Sequence, residues 1–259
     1  MSIAPAPGPG AVAAVRPTTH GSATSSSTSP AAHTIRRIGL YGGSFDPVHQ
    51  AHLALARAAL DQLGLDELRW MPAGQPWQKA RALEAADHRV AMLELVIAGE
   101  PSFILERCEL GRIGPSYTLD SLIELQTGEA AADVADWYLV IGQDQYANFT
   151  RWHGWQQILQ RATLAVATRA GVTAEAPGEL RRWIVDNAAA REPVRIELAP
   201  LEHAATDLRR RLFAGAAATT LAPQWLAPEV ASYIARHHLY AAGPASAGSE
   251  SPVSSPAHH

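Results

Sequence analysis

Between residues 35 and 240 the apolar positions of this chain switch repeatedly from short runs to helical stripes. Ile35-Arg36-Arg37-Ile38-Gly39-Leu40-Tyr41 predicts a first strand. Gln50 to Leu63 predicts a helix, because Leu53, Ala56, Ala59, Leu60 and Leu63 fall on one stripe, and Gly64 supplies its stop. Glu67 to Met71 predicts a second strand, Asp87 to Ile97 a helix with Val90, Leu93 and Ile97 on one side, and Phe103 to Leu105 a third strand. Ser116 to Gln126 predicts a helix with a polar start. Trp137 to Ile141 is a compact apolar run ended by Gly142, the composition of a buried parallel strand. Trp155 to Gln160 predicts a short helix, Thr163 to Ala167 and Val194 to Leu198 later strands, and Thr206 to Phe213 and Pro228 to His237 closing helices. Strands alternating with helices predict an α/β fold, a doubly wound and mostly parallel sheet with helices on both faces. Ligands of such sheets bind beyond the carboxyl ends of the strands, near the switch point.

The ends break the pattern. Residues 1–33 and 242–259 are dominated by Ala, Pro, Gly, Ser and Thr. Such segments bury too little apolar surface to offset chain entropy, so both are expected to be disordered tails around one domain at 34–241. The formal charge of −4 and pI of about 6.2 lack the basic excess of proteins that live on nucleic acid or anionic membranes. Any phosphate binding must rest on local positive charge. The single cysteine, Cys108, cannot form an internal disulfide or a thiolate zinc site. No apolar run reaches membrane-spanning length, and Pro and Gly interrupt the N-terminal apolar residues, so a cytoplasmic location is expected. A homo-oligomer stays open.

The chemistry concentrates after the first strand, in Gly42-Gly43-Ser44-Phe45-Asp46-Pro47-Val48-His49-Gln50-Ala51-His52. Gly42 and Gly43 let the backbone turn tightly and approach a ligand. Ser44 offers a hydroxyl. His49 and His52, three residues apart at a helix start, place two imidazoles on one side of the first turn, beside the free N–H groups and positive dipole end. The sum suits a phosphate. The string is neither a G-x-x-x-x-G-K-[ST] loop nor a G-x-G-x-x-G loop, and a metal at the histidines lacks a third ligand other than Asp46.

This string resembles the signature of the nucleotidyltransferase superfamily, whose pattern ends His-x-Gly-His and whose fold is Rossmann-like. Over about residues 36–240 the chain resembles one branch, the bacterial nicotinate-nucleotide adenylyltransferases. Further matching strings are Asp87-His88-Arg89-Val90-Ala91-Met92-Leu93, Pro115-Ser116-Tyr117-Thr118-Leu119-Asp120, Ile141-Gly142-Gln143-Asp144, Phe149-Thr150-Arg151-Trp152-His153 and Ala204-Ala205-Thr206-Asp207-Leu208-Arg209. Four positions depart from the family pattern. Ala51 stands for a usual Gly, Ala204 for a frequent Ser, His203 for Ile and His153 for Tyr.

The resemblance implies transfer of AMP from ATP to nicotinate mononucleotide, giving deamido-NAD and pyrophosphate. The acceptor's 5′-phosphate is already ionised, so no general base is required and the protein's task is positioning and charge stabilisation. It implies His49 and His52 on the ATP phosphates, Gly42, Gly43 and Ser44 cradling them with Ser44 near the attacking group, and Arg209 clamping the β,γ end with paired donors. Phe45, Gly142, Thr206 and Lys79 join the ATP side, Lys79 from a loop after the second strand. Asp144 resembles the reader of the ATP ribose or adenine, a carboxylate otherwise hard to justify after an apolar run. Trp152 offers a face to the pyridinium ring. Ser116, Tyr117 and Thr118, at a helix start, hold the nicotinate carboxylate. Mg²⁺ arrives on ATP with no dedicated protein cage. The rival readings are another acceptor on the same fold, such as phosphopantetheine, or a nucleotide-binding module without catalysis.

Overall fold

A computed structural model describes residues 35–74, 83–128, 135–169, 171, 174–188, 190–199 and 205–241. The expected tails lie outside the described residues, as does Lys79. The elements run β1 (Arg36–Gly43), α1 (Gln50–Leu63), β2 (Glu67–Pro72), α2 (Ala86–Ile97), β3 (Phe103–Leu105), α3 (Thr118–Thr127), β4 (Ala135–Gly142), α4 (Gln143–Ala147), α5 (Trp155–Arg161), β5 (Thr163–Arg169), α6 (Gly178–Asp186), β6 (Val194–Leu198), α7 (Ala205–Phe213) and α8 (Pro228–Arg236). The strands form one sheet in the order β3-β2-β1-β4-β5-β6, and every pairing among them is parallel. The chain leaves β1 toward one edge and returns at β4 toward the other, so the crevice of the switch point opens beyond Gly43 and Gly142.

Alternation along each strand decides which helices cover which face. Tyr41, Trp70, Val140, Ala165, Ala167 and Ile196 face one side and pack against α1, α2, α7 and α8 through residues such as Leu53, Ala56, Leu93, Leu208 and Val230. Ile38, Leu40, Leu139, Ile141, Leu164 and Val166 face the other, against Leu122 of α3, Ile158 of α5 and Leu180 of α6. Both faces are buried, which is why the β4 and β5 sequences are continuously apolar.

The helix expected from Gln50 to Leu63 has those bounds, and Gly64 ends it in the left-handed conformation with φ 56°. The helix expected from Ser116 begins instead at Thr118, because Tyr117 is extended (φ −110°, ψ 134°). Two helices were not expected from the sequence: α4 is too short to show a stripe, whereas α6 carries one, Leu180, Trp183 and Ile184, that packs on the core.

Candidate active site

The β1–α1 junction delivers the imidazoles. His49 is the extended residue before α1, with φ −148° and ψ 172°. Its N–H donates to His52 Nδ1 at 3.2 Å, and the two rings stack with centroids 3.7 Å apart and 22° between planes. Because Nδ1 of neutral His52 accepts, its proton sits on Nε2, which becomes a donor. His49 is 8% exposed, and its buried Nε2 has no hydrogen-bond partner. Burial lowers the His49 pKa to about 4, and the Arg209 guanidinium adds to the shift. His49 is therefore neutral at neutral pH. A buried ring nitrogen without a partner is a place where a ligand polar atom belongs.

The expected free N–H groups of α1 are fewer than the sequence suggested. Gln50 N–H donates to the Trp225 carbonyl at 2.9 Å, and His52 N–H to the His49 carbonyl at 2.9 Å. The phosphate-binding power of this junction lies mainly in its imidazoles.

Phe45 serves the site from within the core. Its side chain is 1% exposed, edge-on to Tyr41 at 5.4 Å and to His52 at 5.1 Å. It is a core post that fixes the His52 ring, and its backbone is left-handed with φ 46°. A Cβ on Gly43 would meet this ring at 2.9 Å, so Gly43 is needed for the Phe45 packing as well as for ligand approach.

Arg209, on the second turn of α7, reaches back to the junction and donates from a terminal guanidinium nitrogen to the Asp46 carbonyl at 3.2 Å. The link spans 163 residues. It brings Arg209 to His49 as the C-terminal motif implied. Buried Arg89 of α2 donates to the Ser44 carbonyl at 2.9 Å, so the Ser44–Asp46 backbone is clamped from two helices. Thr206 lies in the first turn of α7, and its side chain is outside the described residues.

A cavity of about 270 Å³ is lined in part by Gly42, Gly43 and Ser44. Gly142, Ser116, Tyr117, Thr118 and Trp152 line it as well. The sequence-predicted acceptor residues thus meet in one place, although they come from two separate segments. Ser116 Oγ and Trp152 Nε1 are buried there with no hydrogen-bond partner. The Trp152 ring backs onto Phe149 at 5.4 Å. Gly154, two residues on, has φ 62°, and a Cβ there would lie 2.3 Å from Leu119 of α3, so only glycine lets this turn close on α3.

The histidines and Arg209 do not line this cavity, and neither does Asp144. Asp144 is exposed in the first turn of α4. A carboxylate there faces water and a helix N-terminus, which accounts for it without a ligand despite the apolar run before it.

Glu109, Gln145, His153 and Ala73 are among the lining residues that sequence reasoning missed as site residues. Glu109 is 4% exposed, accepts from Ser121 Oγ at 3.0 Å, and has its pKa raised by burial. His153 packs on Tyr117 with ring centroids 4.7 Å apart. No spacing marks Glu109 or Gln145, whereas His153 was visible as a departure beside Trp152. Among the described residues no group of three or more His, Cys, Asp or Glu is placed to hold a metal ion, and no helix is long and apolar enough to cross a membrane.

Residues 40–211 match the cytidylyltransferase-like family model. A Methylibium petroleiphilum protein named as a probable nicotinate-nucleotide adenylyltransferase is 47% identical over 207 residues, covering 80% of this chain and 93% of the relative. A Bordetella pertussis protein with the same description is 44% identical over 206 residues, covering 80% and 98%. Among solved structures, Plasmodium falciparum nicotinic acid mononucleotide adenylyltransferase complexed with NaAD superposes with a TM-score of 0.62 over 79% of this chain and 97% of that one. The same enzyme complexed with APC gives 0.59 over the same shares. At 17% identity these two carry the fold alone.

Proposed function

The chain belongs to the nicotinate-nucleotide adenylyltransferases within the cytidylyltransferase-like family, and on that premise we propose the following mechanism for moving AMP from ATP to nicotinate mononucleotide. One observation supports the division of labour most: the cavity beside Gly42-Gly43-Ser44 is lined by Ser116, Tyr117, Thr118 and Trp152 but not by His49, His52 or Arg209, which cluster at the start of α1. The triphosphate occupies the His49, His52 and Arg209 side, and the acceptor the cavity.

A 5′-phosphate oxygen of the acceptor attacks the α-phosphorus of ATP. The new P–O bond forms as the bond to the β-phosphate's bridging oxygen breaks, and pyrophosphate leaves with that electron pair. No proton need move. His52 donates from Nε2–H, and Arg209 adds full positive charge, each strengthening as charge shifts to the pyrophosphate. His49, neutral and buried, presents its orphan Nε2 to the same group. Mg²⁺ enters with ATP as part of that substrate and neutralises phosphate oxygens. Trp152 supplies the face for the pyridinium ring, while Ser116 Oγ and the first-turn N–H groups of α3, which have no intrahelical acceptor, meet its carboxylate. The amide analogue lacks that charge. ATP and the mononucleotide are cytoplasmic solutes, which supports the cytoplasm as the place of reaction.

The test is pyrophosphate release from Mg·ATP with nicotinate mononucleotide and nicotinamide mononucleotide side by side. Rapid release with the acid and little with the amide is expected. Release with neither would overturn the acceptor assignment and send the search to phosphopantetheine.

A further inference from the structure

We infer that Tyr240, just beyond α8 near the end of the described chain, is a positioning residue for the phosphate side of the site. The inference rests on the placement of the triphosphate proposed above. Tyr240 is 3% exposed, and its hydroxyl donates to Asp46 Oδ1 at 2.6 Å across 194 residues of sequence. Asp46 is 1% exposed and sits inside the string that carries His49 and His52. A carboxylate so buried depends on its donors. The Tyr240 hydroxyl gives a shorter bond than Glu84 N–H, which reaches Asp46 Oδ1 at 3.4 Å.

Tyr240 is itself held. Its backbone has φ 59°, a conformation non-glycine residues seldom adopt, and its N–H donates to Glu84 Oε1 at 3.4 Å. The Glu84 carbonyl accepts from Arg89 Nε at 3.1 Å, and Arg89 continues to the Ser44 carbonyl. The Tyr240 ring also stands edge-on to Phe213 of α7, centroids 6.1 Å apart. Tyr240 therefore touches both bodies that must meet at the triphosphate. Through Asp46 it holds the loop leading to His49, and through Phe213 it holds the helix carrying Arg209. The Arg209 bond to the Asp46 carbonyl closes the triangle. Losing the hydroxyl leaves the packing of the ring but frees the loop to shift against α7, which misaligns donors whose worth is greatest in the transition state.

The experiment is Tyr240→Phe in the full chain, with kcat, both KM values and the melting temperature. The expected result is a kcat at least tenfold lower and an unchanged KM for the mononucleotide, measured well below melting. A kcat within twofold of the wild type overturns the inference, whatever happens to the melting temperature. Asp46→Asn and the double variant supply the second arm. Asn keeps an oxygen for the Tyr240 hydroxyl, so Asp46→Asn is expected to retain more kcat than Asp46→Ala, and in the Asp46→Ala/Tyr240→Phe double variant the Ala and Phe losses are expected not to multiply. Equal losses for Asn and Ala, or fully multiplying losses, overturn the pairing. If the wild type turns over neither mononucleotide, the acceptor reading fails on its own. Positioning is then read from Mg·ATP binding by calorimetry: weakening of tenfold or more in Tyr240→Phe supports it, and unchanged affinity overturns it.

Discussion

The two halves of the site are built in opposite ways. The phosphate half is one continuous string, Gly42 to His52, folded at a single strand–helix junction and clamped from behind by Arg89 and Arg209. The acceptor half has no string of its own. Ser116 to Thr118, Trp152 and Glu109 come from the start of α3, the segment before α5 and the segment after β3, and only the fold brings them to one cavity. The polar atoms differ accordingly. On the phosphate side the imidazoles are stacked, and His52 Nδ1 is held by His49 N–H, leaving His49 Nε2 open, whereas in the cavity Ser116 Oγ and Trp152 Nε1 have no protein partner at all. A reaction that only positions and stabilises needs its charged donors preset, but it can leave acceptor recognition to groups satisfied by the ligand itself.

The sharpest way to break this contrast is His52→Ala. A preset donor to a developing charge is worth about 10²–10³-fold in kcat, and a loss of that size is expected with the mononucleotide KM nearly unchanged. Circular dichroism and the melting temperature check that the fold survives. A variant that kept wild-type rates would remove His52 from the chemistry and collapse the phosphate half into scaffold.

A pH experiment tests the other imidazole. His49 titrates near 4 when folded, against an ordinary value of 6.5, because burial and Arg209 oppose its charging. As pH falls the unfolded chain takes up this proton first. The stability that neutral His49 contributes is whole above about pH 6.5 and is lost as pH falls toward 4, up to about 3 kcal/mol. Urea unfolding of the wild type and His49→Asn at pH 7.5 and pH 5 isolates the contribution. The wild type is expected to lose more stability over that interval than the variant. Equal slopes would mean the imidazole is not buried as described.

The same contrast governs what could be read from the sequence. The helix from Gln50 to Leu63 and its Gly64 stop were legible because a period-3.6 stripe and a left-handed cap are local properties. The parallel sheet followed from alternation, while the strand order emerged only from packing. His49, His52 and Arg209 were legible from motif spacing, but the loss of the Gln50 N–H to Trp225 was not, since that contact spans 175 residues and comes from no pattern. Glu109 gave no signal because a glutamate after a short strand looks solvated until α3 covers it. Phe45 and Asp144 show complementary limits of the motif: the Phe45 side chain is core, and the carboxylate of Asp144, which looked hard to justify after an apolar strand, is exposed at a helix start.

Trp152→Leu sharpens the acceptor half. It removes the flat face while keeping apolar contact with Phe149. A cation–π partnership of roughly 0.5–2 kcal/mol predicts a mononucleotide KM raised about 2- to 30-fold, with the ATP KM and kcat little changed. Steady-state kinetics with each substrate varied in turn separates these. A rise in the ATP KM instead would assign Trp152 to the wrong half.

The smallest effect discriminates best. Ser116 Oγ is buried and has no partner in the protein. If the acceptor satisfies it, Ser116→Ala acts in opposite directions on the two states of the enzyme. Without ligand the variant sheds a buried, unpaired hydroxyl, so its melting temperature is expected to hold or rise slightly. With ligand it loses one hydrogen bond, and the KM for the acid is expected to rise roughly 2- to 12-fold, the equivalent of about 0.5–1.5 kcal/mol. The amide analogue, which carries no negative charge, is expected to lose less, so the acid-to-amide preference narrows. A structural hydroxyl would give the reverse pattern, with a lower melting temperature and an unchanged KM. That outcome would place Ser116 with the scaffold and leave the first-turn N–H groups of α3 as the selector of the acid.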